Sequence, residues 1–502
     1  MIILDEESQF PLADGATTKA TDAANTNPSL DAIGPESDPR PPPPPYTSSY
    51  QATEPVYPEE HYAPRESTAK RFWKAFGVAF CIWAFIFLDG MFLALRINRG
   101  HPTYRWPWPV KESDPPSRRP GFPVEWPEES DGEIGHCILG PHWDRSSFEP
   151  PSSSSPLDSP TLFSANTSFK LPVDAEELFF FSRGAFSRGS IEFVPGDGMD
   201  VEASVSASYY SDEVFKQANI CLLKRDKSRI GLGIFTPDQD SRITISADVL
   251  HVVFDIQVRF PMSWAPPLTI PKLTTNLPSF SHHIGDLSDV VHFRSASLVT
   301  TESSIQVDSI SAFEAEMETS SGTIEGTFRI GNALKLSAVD GSISTNISLY
   351  NRNPLITNTL FLKSTNGFVE SNINLFSPST IHKGAYSITS SSLNGSLSLT
   401  IPSLPPGLTL DLEATSTRGP ASVLLHPSYE GSLSVHSFTY PPTLHVREVV
   451  VDPMRKGRER REWERKHGVY AIEGGVFWVP VMRWQDPGTV RVASTFQAHL
   501  EL

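Results

Sequence analysis

Cysteine is scarce, with three residues in a chain of 502. That count excludes a dense disulfide framework and a four-thiolate zinc site. Cys81 lies in an apolar run, leaving Cys137 and Cys221. Whether those two pair depends on an oxidising compartment, which a sequence does not display. Basic charge is short too: 41 Lys and Arg face 58 Asp and Glu, a formal net charge of −17. Nucleic acid is therefore excluded as a general partner, because such binding rests on cations that neutralise phosphates. Nucleophile elbows, His-Glu-x-x-His pairs, P-loops and dinucleotide fingerprints are all missing. No cofactor is implied, and the chain does not read as an enzyme. The nearest thing to a site is SHHIGDLSDVVH at 281–292, with His282, His283, Asp286, Asp289 and His292. No helix spaces these groups, so they read as a polar loop and no metal is assigned.

Long apolar runs are equally rare, and the exception is informative. Ala75 to Leu95 holds one ionisable group, Asp89, in 21 residues. A helix of that length crosses the hydrocarbon layer of a bilayer. The run begins too far from Met1 for a cleaved signal, so it reads as a retained single-pass anchor, residues 70–96. Basic residues flank both ends, and the bias favours a cytoplasmic N-terminus only slightly. Sequons add support: Asn166, Asn346 and Asn394 all follow the anchor. The expected arrangement is a cytoplasmic N-terminus and a lumenal or external, N-glycosylated remainder, on the plasma membrane or an endomembrane.

Residues 1–69 lack apolar periodicity. The first 64 carry eleven acidic and two basic residues. Such a tail buries too little to offset ordering entropy and reads as disordered. Within it DPRPPPPPYTSSY favours polyproline II. Pro43, Pro44 and Tyr46 resemble the Pro-Pro-x-Tyr ligands of WW domains, and that resemblance implies a membrane-trafficking ubiquitin ligase as partner. A stiff spacer is the alternative. Residues 97–175 are rich in Pro, Ser and Thr and read as a stalk, with Trp106 and Trp108 near the bilayer interface.

The rest alternates. After Gly341, Gly367 and Gly395, apolar side chains recur at even offsets: Ile343, Ile347, Leu349; Val369, Ile373, Leu375; Leu397, Leu399, Ile401. A period of two marks strands with one buried face. Asp340-Gly341, Asn366-Gly367 and Asn394-Gly395 read as tight turns that accept positive φ. The unit recurs every 19 to 28 residues between Gly322 and Gly419. That spacing favours a β-solenoid-like stack, with a β-sandwich as the alternative. Residues 176–280 read as a first β subdomain and 281–502 as the β-repeat domain. PMSWAPPLTIPKLTTNLPSFS, 261–281, reads as a crossover, and DPMRKGRERREWERKHG, 452–468, as a mixed-charge loop or short helix.

STNG at 364–367, SSGTIEG at 320–326, LHPSYEGS at 425–432 and GGVFWVP at 474–480 resemble the bacterial-type adhesin-like domain and its relatives in single-span basidiomycete proteins. The resemblance covers about residues 180–502 and implies a β-repeat scaffold without catalytic residues. Three functions follow as expectations. The first is a surface protein binding a cell-wall glycan or surface protein; the second is a trafficking adaptor acting through Tyr46; the third is a carbohydrate-active enzyme with a site in a shallow groove.

Overall fold

The computed structural model describes residues 126–139, 143–147, 163–237, 252–262, 267–377, 384–447, 450–480 and 488–502. All belong to one unit, Asp114–Leu502. The tail, the anchor with Asp89, and the motif of Pro43, Pro44 and Tyr46 lie outside the described residues. Among those described, no helix is long and apolar enough to cross a membrane.

The body is all-β and consists of two facing sheets built rung by rung. In a regular rung the chain runs along the first sheet, turns at a glycine and returns along the second. Thr357–Ser364 turns into Val369–Phe376, and Ala385–Ser392 into Leu397–Ser403. Each strand pairs in parallel with its counterpart one rung away, in register: Leu360 with Ile388, Leu362 with Ser390, Val369 with Leu397. Parallel pairing between rungs is what a stack requires, whereas sandwich hairpins would pair antiparallel within a unit.

Alternation then decides the core. Ile343, Val369, Leu397, Ala421 and Ala498 form one buried column in the second sheet. Leu334, Leu360, Ile388, Leu412 and Val490 form its counterpart in the first. A fully buried Leu or Ile contributes about 1.5–3 kcal/mol relative to exposure, so these columns hold the rungs together.

Sequence order and spatial order part company at both ends. Gly488–Ser494 lies between Thr409–Ser416 and Gly431–Ser437, and Ala498–Glu501 lies between Ala421–Leu424 and Thr443–His445. The last strands are therefore inserted one rung inside the stack. Glu177–Arg183 is likewise set between Arg229–Phe235 and Leu268–Asn276, and Ser187–Gly196 between Val252–Pro261 and Phe280–Asp286.

Four sequence expectations change here. The Pro-rich segment at 261–281 contributes Leu268–Asn276, a rung strand paired on both sides, because Ile270 and Leu273 still reach the core. Pairing also continues without a break across residues 280 and 281. Part of the expected stalk, Glu133–Leu139, Asp144–Ser147 and Phe163–Leu171, belongs to the sheets. Its Ser/Thr/Pro composition hid a period-two set of Ala165, Phe169 and Leu171, all buried. Finally, the charged run at 452–468 contains Glu459–His467, a strand antiparallel to Ala471–Val479.

Candidate functional site

The turn edge shows why the repeat is written as it is. Ser364 Oγ donates to the carbonyl of Gly341 at 2.8 Å and accepts the N–H of Gly367 at 3.0 Å. Ser392 does the same between Gly367 and Gly395, and Ser416 between Gly395 and Gly419. Thr319 and Ser494 extend the series. Each buried hydroxyl thus satisfies one backbone group on its own rung and one on the neighbour, which removes the cost of burying them unpaired.

The glycines serve close approach rather than positive φ, and this corrects the expectation. Gly341, Gly367 and Gly395 do not occupy the left-handed region. A Cβ on Gly341 would stand 1.6 Å from Gly322 O, and one on Gly367 would stand 2.2 Å from Gly341 O. Outside the hydroxyls runs a side-chain ladder in which Asn394 donates to Asn366 and Asn366 to Asp340. Asn394, the sequon residue, is exposed on this ladder. The serine or threonine three residues before Gly322, Gly367, Gly395 and Gly419 was visible in the sequence as part of a small-polar cluster; its double role was not.

The outer face of the second sheet carries a polar column through Ser344, Asn346, Glu370, Asn372, Ser398 and Thr400. Asn166 and Asn346, the other two sequon residues, are exposed on it. Two open depressions lie on this face. One of about 610 Å³ is lined by Asn166, Ser190, Glu192, Glu202, Asp255 and Gln257 among others. The second, of about 330 Å³, is lined by Asp308, Glu325, Asn346, Glu370 and Asn372 among others. Between them His283 spans two carboxylates, Nδ1 lying 3.2 Å from Glu192 Oε1 and Nε2 3.2 Å from Asp308 Oδ2. Gln257 donates to Glu192 at 2.8 Å.

The histidine-rich segment does not converge. His282 is buried, with Nε2 2.8 Å from Thr275 Oγ1 and Nδ1 3.1 Å from the carbonyl of Phe280. Burial pushes its pKa down to about 4, against a smaller opposing effect of that carbonyl. His283 faces outward, His292 meets Ser311 Oγ at 3.0 Å, and Asp289 pairs with Arg329 at 2.7 Å. Asp286 accepts a hydrogen bond from Ser288 Oγ at 3.4 Å. Alternation sends His282 and His283 to opposite faces, and the five potential ligands make separate contacts. Among the described residues no group of three or more His, Cys, Asp or Glu is placed to hold a metal.

Cys137 and Cys221 stand directly opposite on paired antiparallel strands and are joined as a disulfide. At the far end Arg458 is buried between Asp452 and Glu430, at 3.0 and 2.9 Å. Asp452 also accepts the N–H groups of Met454, Lys456 and Arg458. Burial alone would raise its pKa, but Arg458 and those three amides hold the carboxyl well below the usual range.

Residues 315–446 match a family model described as a domain of unknown function, DUF7330. The match covers the regular rungs, roughly a quarter of the chain. No curated protein matches. A solved structure described as "a putative cell adhesion protein from Clostridium sporogenes" aligns over 67% of this chain and 98% of its own. The identity is 9% and the TM-score 0.15, too low to support an argument about fold.

Proposed function

We propose that this is a single-pass membrane protein whose stacked β body binds at the cell surface without catalysing a reaction. In this reading the N-terminal tail is disordered and cytoplasmic, residues 70–96 span the bilayer, and the body lies outside. The observation that carries it is the outer surface of the second sheet. Asn166, Glu192, His283, Asp308, Asn346 and Asn372 lie along a continuous polar face with open depressions. Open, laterally extended surfaces suit wall glycans or surface proteins better than a small substrate that must be enclosed. Asn166, Asn346 and Asn394 are exposed, as glycan acceptors must be, and the Cys137–Cys221 bond suits an oxidising side of the membrane.

The test uses the full chain in nanodiscs, sedimented with isolated cell-wall material. Retention by the wall without release of sugars supports the reading. Turnover of any wall glycan, or no retention at all, overturns it. Endoglycosidase and external protease give the topology: a mobility shift with a protected N-terminus is expected.

A second reading rests on Pro43, Pro44 and Tyr46, which match the WW-domain pattern in full. Recruitment of a WW-domain ubiquitin ligase would make the chain a trafficking adaptor. Tyr46→Ala abolishing both ligase capture and normal localisation would favour that role.

A further inference from the structure

The run Glu459–His467, ERREWERKH, carries both signs of charge, and the pleat divides it into a face with two glutamates between basic residues and one with an indole between two arginines. Glu459, Arg461, Trp463, Arg465 and His467 share one face; Arg460, Glu462, Glu464 and Lys466 share the other. On the first face Trp463 stands opposite Gly475 and Arg461 opposite Phe477. The glycine makes room for the ring, since a Cβ on Gly475 would meet Trp463 Nε1 at 2.5 Å. The indole is thus held against the sheet with its other side open, and Trp463 is 49% exposed. Among the described residues Arg461 has one ion pair, with the exposed Glu459 at 3.7 Å, and Arg465 has none. Glu473, the carboxylate opposite Arg465, is instead 2.8 Å from His467 Nε2.

We propose that this strand face is a binding platform for an acidic, uronate-bearing polysaccharide. The proposal deepens the surface-binding reading and rests on it. An indole presents a broad apolar face on which the C–H side of a pyranose ring can lie, and guanidinium forks take carboxylates in paired hydrogen bonds. Arg461 and Arg465 lie two residues either side of Trp463, so their Cα atoms are about 13 Å apart along the strand. A polymer with regularly spaced carboxylates can engage both forks while one sugar covers the indole. An anionic bilayer is the poorer match, because Trp463 is seated on Gly475 and does not project as a wedge. The chain's net charge of −17 repels polyanions elsewhere, so binding depends on this patch and weakens with salt.

The experiment measures retention of full-length protein, in phosphatidylcholine nanodiscs, on immobilised polygalacturonate, on neutral β-glucan and on phosphatidylserine vesicles. Retention on polygalacturonate alone is expected, falling at high salt. Trp463→Ala and the pair Arg461→Gln with Arg465→Gln should each weaken it at least tenfold. Gly475→Ala should also weaken it, with Trp463 still present. Glu462→Gln with Glu464→Gln, on the opposite face, should leave retention within twofold. All four altered side chains of the platform tests lie at the surface or in the hairpin, and unchanged melting of the variants confirms folding. Unaltered polygalacturonate binding in the Trp463 and arginine variants overturns the platform, as does capture by phosphatidylserine vesicles in place of polygalacturonate. If wild type sediments with whole cell wall while the variants keep their polygalacturonate binding, the platform fails and the surface role stands; if wild type does not sediment, both fail.

Discussion

Ser392 Oγ donates a hydrogen bond to the carbonyl of Gly367, one rung away, at 3.0 Å. The same oxygen accepts the N–H of Gly395 at 3.0 Å. A serine and two glycines therefore stitch adjacent rungs where the chain reverses between sheets.

Gly367→Ala should be strongly destabilising, because the new Cβ would lie 2.2 Å from a backbone oxygen that sits in a stacked ladder and has nowhere to go. A cost of about 2 kcal/mol or more is expected from such overpacking. Gly457→Ala is the comparison: no atom lies within 4 Å, and only its φ of +70° opposes the change. Chemical denaturation of the two variants should give the larger loss for Gly367→Ala; equal losses would contradict the close-approach account.

Ser364→Ala leaves the carbonyl of Gly341 and the N–H of Gly367 without their shared partner, at about 1–3 kcal/mol. Ser364→Thr should be nearly neutral, since Thr319 fills the equivalent place. Ala338 stands where the neighbouring rungs carry a hydroxyl, so Ala338→Ser should raise the melting temperature. Differential scanning of the three variants checks the order.

Acid should unfold the body through His282. Its folded pKa, about 4, lies below the ordinary 6.5, so the native state binds fewer protons than the unfolded chain. The contribution is full above about pH 6.5 and is lost as pH falls from there through about 4. It amounts to something on the order of 3 kcal/mol. His282→Gln keeps a partner for Thr275 without titrating, and its melting temperature should fall less over that window.

Arg458→Met should cost about 3–5 kcal/mol, because Asp452 and Glu430 would remain buried without their cation. Asp452 has a depressed pKa, so its contribution is present above the usual carboxylate value near 3.8 and is lost as pH falls below it. In Asp452→Asn that low-pH dependence should flatten. Urea titrations at pH 7 and at pH 3 read both effects.

Much of the rung was legible because alternation is a local property. Ile343, Val369 and Leu397 declare a buried face within each strand, and Ser364 and Gly367 mark the reversal. The structure departs from the expected crossover and stalk because proline, serine and threonine dominate 261–281 and 149–168, while the apolar residues that reach the core from Leu268–Asn276 and Phe163–Leu171 are few: Ile270 and Leu273, three apart, and Ala165, Phe169 and Leu171. His282 and His283 illustrate the limit for sites: adjacent in sequence, one is buried against Thr275 and the other lies between two carboxylates on the outer face.

What the amino-acid string determined alone is the period of two and the turn positions. Which rungs touch was decided only in three dimensions. Gly488–Ser494 and Ala498–Glu501 pair between strands that precede them in the chain, and Arg461 shares a face with Trp463 only because this charged run is a pleated strand. The physical reason is that side-chain alternation is set within one strand by its own backbone, whereas partner choice depends on which edges and buried columns fit best when the whole stack closes.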